Sequence, residues 1–362
     1  MRPPHLPGSY LVVELTNRCS LACVHCSVSE GAAHPHHAQS GYIDTGMVLG
    51  LFDDLVGLGA RFDTLILFWL GEPLLHDDFS TIYRAALRAA ARHRTFGKVE
   101  VHTNGTHLSL ETTRAVLNSG PVVQVWHFSL DAARSETYLQ VKGLQRFEKV
   151  ENNIARFIEW KGRIGARWPR PVFQFIVGSN NADEVPLFRR RWEVACKRAG
   201  EPVRAVAQDV PPGDDAVVFF RQLDCPTPEQ QASENAVFRA AMEREGLPVP
   251  RGDKAPTTLC AENHAPCSGF WKSPVISWLG DVTTCTRDNL LENRVGSLRE
   301  ARFSELWWGG LMAGRRKRVA TGDYSGMPTC ASCFIPRSSN YTDLSVEEVE
   351  RHATFDDRVV AR

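Results

Sequence analysis

From residue 10 to about residue 207, apolar residues of the chain follow two alternating spacings. Nearly continuous apolar runs, such as FDTLILFWL (62–70), predict strands that are buried on both faces. Between these runs the apolar residues recur at every third or fourth position, which is the spacing of one helix face. The first such set, which Asp44 could cap, consists of Val48, Leu51, Phe52, Leu55 and Leu58.

Predicted strands and helices alternate regularly over this part of the chain. The strands are predicted at 9–15, 62–70, 98–103, 122–130, 171–177 and 202–208. The alternation predicts an α/β fold with a parallel sheet, because parallel neighbours need a crossover connection, usually a helix. An open barrel of six βα units fits this pattern, and so does a doubly wound sheet.

The alternation ends near residue 209, where the chain becomes rich in Pro, Gly and Asp around a polar, helix-like stretch (227–245). From about residue 257 it is rich in Cys and Trp, with short strand-like pieces such as PVISWLGDVTTC. A second, smaller domain is therefore predicted. The predicted segments are a barrel over 1–210, a linker with a helical connection over 211–256, a small Cys-rich domain over 257–340 and a tail over 341–362 with a short helix near 345–353.

Composition excludes several classes of protein. Lys and Arg number 42, as do Asp and Glu, so the overall charge gives no case for binding nucleic acid or an anionic membrane. No apolar run approaches the roughly 18 residues of a membrane span, and the first residues lack the apolar stretch of a signal peptide. We therefore expect a cytoplasmic protein, in which the ten cysteines are metal ligands or reactive thiols rather than disulfides.

Three of the cysteines, Cys19, Cys23 and Cys26, lie in one short loop after the first predicted strand. A structural zinc site usually takes four ligands, and His25 is the only nearby candidate for the fourth. Three thiolates suit a 4Fe–4S cluster better, because iron in such clusters prefers thiolate ligands. One iron of that cluster would have no protein ligand and could bind a small molecule.

The spacing of these cysteines resembles the C-x3-C-x-φ-C signature of the radical S-adenosylmethionine (SAM) enzymes, with His25 at the usually aromatic position φ. The resemblance implies that Cys19, Cys23 and Cys26 hold a 4Fe–4S cluster whose open iron binds SAM. It also implies that SAM is cleaved to a 5′-deoxyadenosyl radical, which abstracts hydrogen from a substrate. His25 would pack beside the adenine.

Further motifs of that family fall at the ends of successive predicted strands, where ligands of such folds bind. LGEP (70–73) resembles a GGEP motif that holds the SAM amino group, with Leu70 in place of the first glycine. The resemblance spans about residues 10–210 and implies a partial (β/α)6 barrel. The SAM contacts that it implies are Gly71, Glu72, Asn104, Ser129, Asp131 and backbone near Val177.

Each of these motifs also has an ordinary structural explanation. Glu72 could be a first-turn acid, Asn104 could belong to a simple turn, and Asp131 could cap a helix.

A second cysteine set lies in the predicted small domain. Four thiols beside a glycine first suggest structural zinc, with an iron–sulfur cluster as the alternative. The spacing C-x12-G-x4-C, followed by C-x2-C, resembles the SPASM/Twitch extension of radical SAM enzymes in its shorter, Twitch form. That resemblance implies one auxiliary 4Fe–4S cluster, and Cys260 could replace one ligand. The implied ligands are Cys267, Cys285, Cys330 and Cys333.

Two further cysteines lie outside these sets. Cys196 falls in a predicted helix and is expected in the core. Cys225 is either an inert loop residue or a hydrogen-atom donor to a substrate radical, and Cys260 is the other donor candidate.

The resemblance implies an oxidoreductase or epimerase. Because the cysteine loop begins at residue 19, no peptide-recognition domain of the kind found in many peptide-modifying relatives is expected before it. We therefore expect a small polar substrate, a sugar or aminocyclitol as in antibiotic biosynthesis, with modification of a ribosomally made peptide as the alternative. A flavodoxin- or ferredoxin-type electron donor and a monomeric chain are expected. A sensor that has lost catalysis is the non-enzyme alternative.

Overall fold

The structure is a computed structural model that describes residues 2–225, 227–249, 266–331, 333 and 344–360. Its strands are β1 (Tyr10–Val13), β2 (Phe62–Leu67), β3 (Phe96–Thr103), β4 (Val123–Ser129), β5 (Arg170–Val177), β6 (Val203–Ala207), β7 (Ala216–Gln222), β8 (Val275–Ile276), β9 (Asp281–Thr283) and β10 (Gly296–Ser297). Its helices are α1 (Thr45–Leu58), α2 (Phe79–His93), α3 (Leu110–Val116), α4 (Ser135–Lys142), α5 (Phe147–Ile164), α6 (Val185–Arg198), α7 (Pro228–Arg244), α8 (Gly269–Lys272), α9 (Phe303–Trp307), α10 (Gly310–Ala320), α11 (Pro328–Ala331) and α12 (Val346–Val360).

The chain divides into two compact units. The first unit contains residues 1–18, 31–99 and 256–362, and the second contains residues 19–30 and 100–255. The first three cysteines therefore belong to the second unit, and the four later cysteines belong to the first.

The second unit is built on parallel strands in the order β4-β5-β7-β6, with the last residues of β3 next to β4. One sheet face packs against helices through aromatic stacking, as between Phe173 and Trp192, whose ring centroids are 4.7 Å apart. The opposite face carries a cluster of buried apolar side chains. This cluster consists of Val125, Val172, Val217 and Phe219.

The structure places a strand, β7, in the segment for which the sequence predicted a linker (211–256). The residues PPGDD just before it are typical of a loop and concealed the apolar run AVVFF that follows. β7 pairs in parallel with both β5 and β6, and α7 buries Phe238 and Met242. This segment therefore completes the second unit.

The first unit contains strands in the order β10-β9-β8-β1-β2, in which β1 is parallel to both β2 and β8. Val12 on β1 pairs with Val275 on β8, so the Cys-rich segment extends the same sheet instead of forming a sheet of its own. The Asp44 cap predicted for α1 is confirmed, because its side chain accepts a hydrogen bond from Met47 N at 2.8 Å. No helix in the described ranges is long and apolar enough to cross a membrane.

Candidate functional site

The cysteine loop (residues 19–26) is held in place by the end of α4. The backbone N–H groups of Ala22 and Val24 donate hydrogen bonds to the carbonyls of Lys142 and Val141, both at 3.1 Å. Gly143 follows with a φ of 74°, and a Cβ there would lie 2.3 Å from the Ala22 carbonyl oxygen. Only glycine combines this backbone conformation with this approach, so the tight contact fixes the path of the loop.

A buried ion pair lies beneath the loop. Lys142 Nζ donates to Asp131 Oδ2 at 2.5 Å, and both side chains are almost fully buried. Burial alone would lower the pKa of Lys142, but the charges of Asp131 and Cys23 hold that pKa above its usual range. Burial raises the pKa of the Cys23 thiol, whereas the Lys142 charge opposes that rise. The cation thus favours a thiolate at the second cysteine of the loop.

Asp131, expected at the ribose of SAM, accepts hydrogen bonds from within the fold. Its side chain is buried, and its second carboxylate oxygen accepts from Ile176 N at 2.7 Å. Both oxygens therefore serve contacts inside the fold, so Asp131 positions β5 and Lys142. Its expected contact with the ribose of SAM stays a prediction.

Asn104 connects the end of β3 to the cysteine loop. Its Nδ2 lies 3.5 Å from Cys19 Sγ and 3.4 Å from Ser20 Oγ. Its Oδ1 accepts hydrogen bonds from Thr106 N and Oγ1, which fix the orientation of the amide. Asn104 is therefore in contact with the cysteine loop, with its amide held in one orientation.

The remaining candidates of the second unit lie along the carboxyl ends of neighbouring strands. Ser129 ends β4 and Val177 ends β5, where it pairs with Gln222, the last residue of β7. Cys225 comes three residues later and is partly exposed, with its N–H bonded to Gln231 Oε1.

His25 is exposed in the cysteine loop. Cys196 is fully buried in α6, which confirms the core position predicted for it.

In the first unit, Gly71 and Glu72 pack against backbone that precedes the cysteines. A Cβ at Gly71 would lie 2.0 Å from the Thr16 carbonyl oxygen, so a glycine is required there. Glu72 N donates to the Arg18 carbonyl at 2.8 Å. The Glu72 side chain is buried and accepts from Leu74 N at 3.0 Å. Glu72 is therefore the N-cap of the short 3₁₀ helix Pro73–Leu75 and does not lie in its first turn, as the sequence alternative had it.

A fully buried carboxylate, Glu14, explains how Leu70 replaces glycine in this motif. Its Oε1 accepts from Leu70 N at 3.2 Å, and its Oε2 accepts from Trp278 N at 3.0 Å. His36 Nε2 lies 2.9 Å from the same carboxylate. The Leu70 backbone is therefore held by a side chain, without the conformational freedom of a glycine.

The four later cysteines line one cavity of about 260 Å³, the four-cysteine pocket (Cys267, Cys285, Cys330 and Cys333). Burial, together with the charges of the other three thiols, raises the pKa of Cys330 to about 12. Asn293 Nδ2 donates to Cys330 Sγ at 3.2 Å, and Tyr324 Oη accepts from Cys267 N at 3.0 Å. Four convergent thiols fit a metal ion or an iron–sulfur cluster. Cys260 lies outside the described residues.

Comparison with known families identifies the chain. Residues 13–178 match the model of the radical SAM superfamily, and residues 267–334 match the SPASM iron–sulfur cluster-binding domain. The chain belongs to the radical SAM superfamily. The family resemblance stated from the sequence is thereby confirmed, and so is the C-terminal SPASM-type domain.

Relatives of this radical SAM enzyme differ in what they are named for. The AdoMet-dependent heme synthase of Oleidesulfovibrio alaskensis is 24% identical over 319 residues, which are 81% of this chain and 73% of that protein. The tungsten-containing aldehyde ferredoxin oxidoreductase cofactor-modifying protein of Pyrococcus furiosus is 23% identical over 184 residues. That match covers 50% of this chain but only 47% of the Pyrococcus protein.

Solved structures confirm the fold class. The structure of native anSMEcpe with bound AdoMet is 13% identical, covers 97% of this chain and 96% of that chain, and has a TM-score of 0.53. At this identity the likeness concerns the fold alone. It agrees with a partial α/β barrel followed by a small C-terminal domain.

The cofactors of this radical SAM enzyme are 4Fe–4S clusters and SAM. We propose that the cysteine loop holds one cluster and the four-cysteine pocket the other. The sequence analysis missed Glu14, Lys142 and Gly143 as positioning residues. Gly143 is visible in the sequence, but α4 before it was not predicted, and the partners of the two buried charges depend on tertiary contacts.

Proposed function

We propose that the protein oxidises a small polar molecule, such as a sugar or an aminocyclitol, by two electrons, through loss of one hydrogen atom, one proton and one electron. The observation that carries this proposal is the four-cysteine pocket. Four protein thiols supply a ligand for each iron of a 4Fe–4S cluster, which leaves no iron open to a substrate and suits electron transfer. When bound, SAM with the first cluster supplies a hydrogen-abstracting radical, and the second cluster supplies an electron acceptor.

The residues of the chain then have the task of placing these groups and the substrate. The hydrogen bonds from α4 and Asn104 hold the cysteine loop, and the Lys142 cation balances its thiolate charge. Glu14 fixes the backbone that leads into Gly71 and Glu72. Within each unit, the backbone of a motif that the family resemblance assigns to SAM is thus held in place, as a defined orientation for hydrogen abstraction requires.

The sheet face of the second unit that carries Val125, His127 and Ser129 supports a polar substrate. Residues on this face become more polar toward the carboxyl ends of the strands, from Val125 through His127 to Ser129 on β4. Gln174 on β5 is paired with Ser129 and reaches it at 3.5 Å. Such side chains can hydrogen-bond hydroxyl and amino groups, which an apolar substrate lacks.

Epimerisation is the second candidate, and the position of Cys225 favours it. A hydrogen-atom donor must lie at the carboxyl edge of the strands, and Cys225 follows the end of β7 with a partly exposed side chain. Cys225→Ala separates the two reactions. Oxidation predicts unchanged product formation, whereas epimerisation predicts retained 5′-deoxyadenosine with loss of product.

The proposed function is tested by anaerobic reconstitution, followed by counting of iron and assay of 5′-deoxyadenosine with deuterated substrates. We expect about eight irons per chain, transfer of deuterium from a sugar or aminocyclitol into 5′-deoxyadenosine, and a product two hydrogens lighter. About four irons would overturn the second cluster. Transfer from a deuterated peptide alone would favour the peptide-modifying alternative. Comparing a flavodoxin with a ferredoxin as reductant tests the proposed electron donors.

A further inference from the structure

We propose that Glu100, His102 and His127, the Glu–His triad, form a site for a divalent first-row transition-metal ion such as Zn²⁺. Glu100 and His102 are two residues apart on β3, so their side chains leave the same face of that strand. His127 lies on the neighbouring strand β4. The site contains no cysteine and does not depend on the proposed reaction.

The positions of the side chains support shared coordination. One ligand atom from each residue lies within 4.8 Å of the others, and His102 Nε2 is 3.6 Å from Glu100 Oε2. Neighbouring ligand atoms of a tetrahedral zinc ion are about 3.3 Å apart, as the usual bond lengths require. The His102 and His127 rings are 4.2 Å apart at 21°. Rotations about the side-chain torsions that shorten the longest of these distances by about 1.5 Å would close the triad around an ion.

The surroundings of the triad favour a bound cation. Glu100 and His127 are less than one-tenth exposed, and His127 contacts Phe219 edge to face at 6.4 Å. Below them lie the apolar side chains of Val125, Val172 and Val217. A carboxylate and two imidazoles that share such surroundings are donor groups that one divalent ion can coordinate together.

The donor atoms decide which ions fit. Two imidazoles with one carboxylate suit Zn²⁺ or Fe²⁺, whereas Mg²⁺ and Ca²⁺ prefer oxygen ligands throughout. Three protein ligands also leave a coordination position for water or another polar ligand, as in zinc sites that act on a ligand. The competing explanation is a polar cluster that is satisfied by hydrogen bonds alone and binds no metal.

The test uses the holoenzyme, with both clusters formed so that their thiols are occupied. Equilibrium dialysis against Zn²⁺, followed by metal analysis, measures zinc bound in addition to cluster iron. We expect about one zinc per chain in the wild type, with binding weakened at least tenfold in His127→Leu and in the isosteric Glu100→Gln. His107→Leu, at an exposed histidine outside the triad, is the matched control and should bind like the wild type.

Unchanged iron content and thermal midpoint will show that each variant is folded. If His127→Leu does not fold, the isosteric Glu100→Gln variant still gives a measurement of zinc binding. No zinc in the wild type, or equal zinc affinity in the wild type and Glu100→Gln, would overturn the metal site. Because zinc binding is measured without substrate or turnover, failure of the proposed oxidation would leave this result interpretable.

Discussion

The cysteine loop and the four-cysteine pocket hold thiols in opposite ways. The loop is short, its thiols are partly exposed, and backbone hydrogen bonds with a buried lysine support it from outside. The pocket gathers cysteines from separate segments around a cavity, where Cys330 is buried among the other thiols. We propose that the loop leaves one iron open to a ligand, whereas the pocket supplies every coordination position itself.

The electrostatics of the two sites differ accordingly. Burial raises the thiol pKa of both Cys23 and Cys330. Near Cys23 the cation of Lys142 opposes this rise, but around Cys330 the other thiols add to it. A cation beneath the loop, Lys142, therefore stabilises thiolate there, whereas the thiols of the pocket must release protons when metal binds. This difference can be tested by breaking one site at a time.

The largest effect is expected from exchanging single cysteines. Cys23→Ala should lower iron from about eight to about four per chain and bring 5′-deoxyadenosine below detection, because SAM loses its cluster. Cys330→Ala should lower iron as much but retain 5′-deoxyadenosine while product disappears. Iron analysis and the nucleoside assay on both variants give the comparison. Retained nucleoside formation in Cys23→Ala would contradict the assignment of the loop.

The second effect concerns the ion pair beneath the loop. Lys142→Met leaves Asp131 buried without its cation, which should destabilise the second unit by about 3–5 kcal/mol, measured by denaturant unfolding. The matched control is Lys161→Met, which breaks the buried pair with Glu201. Both variants should lose similar stability, but only Lys142→Met should release iron from the cysteine loop. Equal iron loss in the two would reduce Lys142 to a stability role.

A smaller effect is expected at the glycine that supports the loop. Gly143→Ala places a Cβ against the Ala22 carbonyl and should lower stability by about 2–3 kcal/mol and loosen the loop cluster. Gly165→Ala has a similar φ of 63° but no atom within 4 Å, so about 1 kcal/mol is expected. Thermal unfolding and the rate of iron release to a chelator compare the two. Similar rates of release would show that the contact does not hold the loop.

The smallest effect should appear in the pocket alone. Asn293→Ala removes the hydrogen bond to Cys330 Sγ, which stabilises the more reduced, more negative cluster. The potential of the auxiliary cluster should fall by about 40–60 mV, while that of the loop cluster stays constant as an internal control. Redox titration followed by electron paramagnetic resonance separates the two. A shift of both potentials would indicate a general change in structure.

Much of this molecule could be predicted from sequence, because its signals are local. The α/β class, the helix that begins after Asp44 and the buried Cys196 follow from spacing and residue type. The strand β7 was harder to predict, because the loop-like residues PPGDD before it outweighed the short apolar run AVVFF. Local propensity describes a segment, but pairing with β5 and β6 decides whether it becomes a strand.

The candidate site shows the same limit. The cysteine spacings indicated the family, yet nothing in the sequence showed that Asp131 bonds Lys142 and Ile176 N. Glu14 is surrounded by apolar residues in the sequence and gave no sign of its contacts with Leu70 and Trp278. Buried charges acquire their partners from distant parts of the chain, so their roles become visible only in three dimensions.

The pairing of Val12 with Val275 has a consequence for synthesis of the protein. β1 is synthesised before β8, the strand that pairs with its outer edge and lies more than 260 residues later in the chain. At a synthesis rate of about 5–20 residues per second, the backbone groups of that edge stay unpaired for on the order of tens of seconds. An exposed edge of this kind invites pairing with other chains. Efficient production of the protein therefore depends on how well the edge of β1 is shielded in the nascent chain until β8 has been synthesised.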